Sequence, residues 1–269
     1  MARPLIVNTM TEPQDSAPRS GLLPAQRVRW GLPDAVAGLV LTAAIGGGQV
    51  LLARAPRLPH GDWVGVTLQT LFYLLIAAFL VLVSKTRGLG RIRRDFGFEL
   101  RWVDLLIGVG LAIVLQVASV LVDQLAFDVL KLPVLPTGNV SLPKSRGWAV
   151  FDGLAIGAFL APIVEELFFR GLVMRAVRNL VIRRAKFEGP ATTRRAARVS
   201  ILVSALVFTA AHLYESRNLT MLFVLGVWIF IVGLVTAAIA TRPGRHRPSM
   251  IAHILTNGVS AVVVLGSTH

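Results

Sequence analysis

Seven apolar windows, at about 33–53, 63–84, 103–127, 148–177, 199–214, 218–240 and 249–265, leave this chain few ways to fold. Most are close to the roughly 20 residues that cross about 30 Å of hydrocarbon. In lipid the backbone must satisfy its own hydrogen bonds, so such windows become helices. With 54% hydrophobic and only 16% charged residues, the chain has too little polar surface for a water-soluble domain of 269 residues. The expected fold class is an all-α polytopic membrane protein: seven transmembrane helices, with room for an eighth in a loop, enclosing an intramembrane polar site. Residues 1–32 read as a flexible basic cytoplasmic arm. Residues 33–269 read as a single transmembrane helical domain, with its chemistry-bearing motifs in 148–265.

The net charge of +14 raises the question of nucleic acid, and the placement of the charge answers it. Segments 1–33, 85–101, 175–198 and 241–248 hold 21 of the 28 Lys and Arg, while the alternate segments hold six. That alternation puts the N-terminus in the cytoplasm and the C-terminus outside. The basic residues are thus accounted for by topology, and no nucleic-acid partner is expected. The bilayer itself is the first partner, and the short arm and Arg-rich loops point to a bacterial plasma membrane. Cysteine is absent, which excludes disulfides, thiolate metal sites and cysteine nucleophiles. The sequence carries no signature of an oligomeric state. Gly46, Gly47 and Gly48 in the first window read as permitting close helix packing or a bend.

Ionisable groups deep in a membrane are costly and face a partner or a cavity. Asp34, Asp62, Asp104 and Asp128 fall at window ends, and Asp123 and Asp152 near the outer surface; all six read as solvated. Glu165, Glu166 and Arg170 do not, because "APIVEELFFRG" (161–171) lies well inside the fourth window. Glu166 and Arg170 are four apart and share a helix face, so they can pair. Glu165, about 100° round the helix, is left without a local partner. Two further polar groups sit in apolar windows: His212, four residues after Phe208, and His253, four residues before Asn257. A carboxylate can take a proton from water as a general base. An imidazole can position that water, and a His with an Asn can donate to a developing oxyanion. The set fits hydrolysis without a covalent nucleophile. The alternative is a non-catalytic membrane scaffold, a peptide-binding or immunity protein, or a proton-translocating protein that uses the same charges structurally. Straight helices would hold His212 and His253 more than ~10 Å apart in depth, which a shared site must overcome.

"EELFFRG" resembles the EExxxR motif of the CAAX protease and bacteriocin-processing family of intramembrane endopeptidases, relatives of the prenyl-protein-converting type II CAAX protease. "FTAAH" (208–212) is similar to that family's FxxxH and "HILTN" (253–257) to its HxxxN, in the same order. The resemblance implies hydrolysis of a peptide bond in a membrane-associated peptide or protein. It implies Glu165 as the water-activating base, His212 as its partner at the water, and His253 and Asn257 as the oxyanion pair. Glu166, Arg170 and Phe208 become supporting residues. The family is described both as glutamate peptidases and as metalloproteases. The expectation here is that no cofactor is required, with Glu165, His212 and His253 the residues that would hold zinc if it were bound.

Overall fold

The structure, a computed structural model, describes residues 28–53, 61–96, 102–133, 143–187, 189–213, 216, 218–241 and 246–268. Seven helices are long and apolar enough to cross a membrane. They are α1 (Leu32–Ala53), α2 (Asp62–Arg87), α4 (Trp102–Val129), α5 (Arg146–Arg183), α6 (Pro190–His212), α7 (Leu219–Ala240) and α8 (His246–Thr268). The seven windows read from the sequence correspond to these seven helices. The additional helix, α3 (Ile92–Phe96), is a single short piece in the loop after α2. Among the described residues there is no strand. The chain is an integral membrane protein of helical class.

Most of the expected arm lies outside the described residues, but its last positions pack on the bundle. The backbone N–H groups of Arg29 and Trp30 donate to the Arg87 carbonyl (2.9 and 3.2 Å), and Arg183 donates to the Val28 carbonyl (3.0 Å). The Trp30 ring is fully buried 5.9 Å from that of Phe96. An indole can be buried this way because most of its surface is apolar.

Three of the acids expected in solvent are buried instead. Asp34 accepts from the Gly31 N–H (2.8 Å) and pairs with Arg87 (3.3 Å). Asp104, at the start of α4, pairs with Arg247 at the start of α8 (2.6 Å). Asp152 is buried within α5. The window ends that carry Asp34 and Asp104 are not water-exposed, because neighbouring segments cover them. Asp123 and Asp128 are exposed, and Asp62 binds the backbone N–H groups of Lys144 and Ser145 (3.0 and 2.7 Å).

The core joins α1, α2, α5, α6 and α7 around Phe168, Phe169, Leu172 and Phe208. Glycine lets α1 reach it at one point. A Cβ on Gly38 would sit 2.5 Å from Phe168 Cε2 and 2.7 Å from Phe79 Cε1. The triple glycine farther along α1 does something else. A Cβ on Gly46 would meet only Phe72, at 3.9 Å, and on Gly47 or Gly48 nothing within 4 Å. Among the described residues, close packing, one of the two roles expected of Gly46–Gly48, is therefore not what they provide. The α1 helix touches its neighbours at Gly38 and stands off them at Gly46. Gly38→Val should cost about 1–3 kcal/mol through overpacking, measured as a lowered unfolding midpoint in detergent. Gly48→Val should leave that midpoint within about 1 kcal/mol, since no neighbour is displaced.

Candidate active site

The site is built on α5, which is not wound uniformly. Residues Phe151–Leu160 and Glu166–Val173 adopt π-helical turns, with ordinary α-helix over Ala161–Glu165 between them. Short π segments inside α-helices recur at functional sites. In the first π segment the Ala161 N–H reaches the Ile156 carbonyl, five residues back. The next bond in that series would come from residue 162, which is proline and has no N–H. Its intended acceptor is the Gly157 carbonyl. Asn257 on α8 fills the gap, its Nδ2 donating to Gly157 O at 3.1 Å. One amide hydrogen of Asn257 is thus committed to repairing α5, and the other is not engaged by that bond.

Glu166 is wholly enclosed and fully engaged. Oε1 lies 3.4 Å from Arg170 Nε and 3.2 Å from His253 Nδ1, and Oε2 accepts from the Ser249 hydroxyl at 2.7 Å. Arg170 in turn donates to the Thr236 hydroxyl on α7, and its guanidinium carbon stands 4.2 Å above the Phe208 ring. The expected Glu166–Arg170 pair is present, and it ties α5 to α6, α7 and α8 together.

Glu165 is placed differently. Its side chain keeps 13% of its surface, against 2% for Glu166. Among the described residues one side-chain hydroxyl bonds it: Tyr73 on α2 donates to Oε1 at 3.1 Å. His212 Nε2 lies 4.0 Å from Oε1 and His253 Nε2 lies 3.7 Å from Oε2. Both imidazoles are fixed at their other nitrogen. His212 Nδ1 stands 2.8 Å from the Phe208 carbonyl, which can only accept, so Nδ1 carries the proton. In the neutral ring Nε2 is then a bare lone pair facing a carboxylate. Two acceptors 4.0 Å apart call for a donor between them, and a water molecule meets that need. His253 is held at Nδ1 by Glu166, so the buried glutamate orients the imidazole that faces the exposed one.

The two histidines meet at Glu165 despite the depth difference expected of straight helices, and the start of α8 is part of the reason: Arg247 and Ser249 there are buried and paired rather than at an exposed end. His253 is accordingly enclosed, and the Phe208 ring touches both imidazoles, at 4.5 Å for His212 and 5.8 Å for His253. Phe208 also stacks edge-on with Phe169 at 5.0 Å. Tyr73, Ser249 and Thr236 are site residues that spacing alone did not single out. Each is an ordinary polar residue of an apolar helix, and only the three-dimensional arrangement selects it.

An apolar cavity of about 640 Å³ opens from this site. Its polar end is formed by Glu165, His212 and Tyr73, and the rest by side chains of α1, α2, α5 and α6. As a seat for zinc, the three expected donors fit poorly. Tetrahedral ligands at about 2.1 Å from the metal stand about 3.4 Å apart, whereas the two His–Glu165 separations are 4.0 and 3.7 Å. Among the described residues no group of three or more His, Asp or Glu is arranged to hold a metal ion.

A helical membrane bundle with a buried carboxylate facing two anchored imidazoles defines the class. Residues 147–259 match the family model Rce1-like, described as type II CAAX prenyl endopeptidase Rce1-like. That segment, which holds all three motifs, is similar to this CAAX protease family. No curated protein and no solved structure matches the chain.

The two adjacent glutamates should respond oppositely to neutralisation. Glu166→Gln leaves Arg170 as an uncompensated buried charge and should cost about 3–5 kcal/mol. Glu165→Gln removes no ion pair with an arginine, and its unfolding midpoint in detergent should stay close to wild type.

Proposed function

We propose that the protein is an intramembrane endopeptidase that hydrolyses a peptide bond in a membrane-associated peptide or protein. The observation that carries this reading is the seat between Glu165 and His212, two acceptors held apart by the distance a water bridges. Glu165 takes a proton from that water while His212 Nε2 accepts the second O–H and orients the lone pair. The water oxygen attacks the carbonyl carbon, and the carbonyl oxygen becomes an oxyanion. His253, anchored on Glu166 through Nδ1, turns Nε2 towards the oxyanion, with the second amide hydrogen of Asn257 alongside as a donor. When the intermediate collapses, Glu165 returns its proton to the leaving amine, so protons balance without a covalent intermediate. Tyr73 holds the Glu165 carboxylate in one orientation. Glu166, Arg170 and Phe208 fix the two imidazoles.

No metal enters this cycle. The substrate reading follows from the family description and from a site that lies inside an apolar bundle. The protein is proposed to sit in a bacterial plasma membrane with its N-terminus cytoplasmic and its C-terminus outside, on the Lys/Arg asymmetry of its loops.

The test is cleavage of a membrane-peptide library by detergent-purified protein, with and without a chelator. Glu165→Gln should lower kcat by 10²-fold or more while the protein stays folded. Tyr73→Phe should lower kcat roughly tenfold, the value of one hydrogen bond to a charged group. Activity should survive the chelator. A folded wild-type protein that cleaves nothing, in a membrane-peptide library that related proteases cut, would return the buried charges to a structural role.

A further inference from the structure

The turn that links α2 to α3 gathers four cations around one hollow. Lys85, near the end of α2, and Arg91, Arg93 and Arg94, in and beside α3, line a cavity of about 480 Å³. All four are exposed, and among the described residues none of them makes an ion pair or a side-chain hydrogen bond. Asp95, the acid next to them in the chain, does not line the cavity. It is fully buried and turned inward, where its carboxylate accepts from the Ser84 hydroxyl (2.6 Å) and the Leu89 N–H (2.8 Å). Its carbonyl accepts from Arg175 on α5 (2.7 Å). Phe96 anchors the end of α3 against Trp30, and so close to α5 that a Cβ on Gly171 would stand 3.0 Å from Phe96 Cβ. The cations are therefore displayed from a fixed frame. Gly90, with φ of +70°, makes the bend and adds no side chain to the cavity wall.

Membrane topology calls for basic loops, but not for basic residues gathered round a hollow. Like charges that converge without a counter-ion repel one another, and a bound anion relieves that repulsion. The rest of the wall indicates which anion. Val81 and Ile92 give the cavity an apolar side. Leu82, next to Val81, and Leu89, next to Gly90, are apolar residues exposed at 58% and 56%. The cavity thus lies at the end of a membrane span, where apolar surface gives way to cations. A soluble anion has no use for apolar walls, whereas a phospholipid carries its phosphate directly above acyl chains. We propose that this cavity binds the phosphate group of an anionic phospholipid between Lys85, Arg91, Arg93 and Arg94, with the upper acyl carbons against Val81 and Ile92. Basic pockets beside membrane helices suit such headgroups, and each Lys or Arg at the surface is worth about fivefold in affinity. The site is separate from the Glu165 cavity, and the proposal does not rest on the endopeptidase reading.

The experiment measures fluorescence anisotropy of phosphatidylglycerol and of phosphatidylcholine, each labelled on one acyl chain, with the full chain purified in a maltoside detergent. Wild type should bind phosphatidylglycerol about 30-fold or more tightly than phosphatidylcholine. Arg91→Gln/Arg94→Gln should weaken phosphatidylglycerol about 30-fold and leave phosphatidylcholine unchanged. Arg194→Gln/Arg195→Gln removes the same charge from exposed positions at the start of α6, outside the cavity. That pair should weaken phosphatidylglycerol by less than about threefold, since salt screens distant charges. Lys85→Gln/Arg93→Gln replaces the first pair should it not fold, with the same expected loss. Equal wild-type affinity for the two lipids overturns the proposal. Equal loss in the cavity pair and the α6 pair also overturns it, since the attraction would then be to basic surface at large. Competition separates the two sources of a phosphate. Glycerol phosphate should fail to displace the label at concentrations where unlabelled phosphatidylglycerol does so. Displacement by both at the same concentration would assign the hollow to a soluble phosphate and overturn the lipid.

Discussion

The enclosed pairing of Glu166 with Arg170 is the interaction on which the other features of this bundle depend. A lone arginine or glutamate at this depth would be prohibitively costly, and together they are held only because further groups complete them. Ser249 and His253 take the remaining capacity of the carboxylate, Thr236 takes one arm of the guanidinium, and the Phe208 face covers its carbon. Those partners come from three helices besides α5. The network therefore fixes the mutual rotation of α5, α6, α7 and α8, which apolar packing in lipid specifies only weakly.

With that frame set, the neighbouring glutamate stands in different surroundings. Glu165 and Glu166 are consecutive residues with opposite surroundings: one saturated by charge-assisted bonds, the other held by a tyrosine hydroxyl and facing two imidazoles across gaps. The same His253 ring joins the two, with Nδ1 on Glu166 and Nε2 towards Glu165. The two environments are separated by about 100° of helix rotation, yet they remain coupled through one imidazole. A change at Glu166 would thus reach Glu165 through that ring.

The spans, and the distinction between Glu165 and Glu166, were legible in the sequence because both rest on local rules: window length for the helices, and i, i+4 spacing for the ion pair. His212, His253 and Asn257 could be selected because polar residues in apolar windows are rare. What was hidden depends on contacts between distant segments. Tyr73 is 92 residues from Glu165, and the burial of Asp104 depends on Arg247, 143 residues away. A rule that places window ends in water fails for Asp104 because another helix end covers it. The glycine run misled for the same kind of reason. Small residues in membrane helices usually mark close approach, and only the position of α2 and α5 shows that α1 is standing off them.

Asn257 illustrates how local winding and site geometry constrain each other. Pro162 removes one N–H from α5, and in a π-wound segment the orphaned carbonyl is that of Gly157 rather than of residue 158. The carbonyl is answered from α8 by Asn257, one turn beyond His253 on the same face. The bond fixes α8 along α5 at the height where His253 can bridge the two glutamates. A proline that looks like a defect in the middle of a transmembrane helix is therefore tied, through one amide, to the register of the imidazole that faces Glu165. Uniform α-helical winding would shift the unpaired carbonyl by one residue and about 100°. The Asn257 amide would then have to leave either its repair of α5 or its alignment with His253.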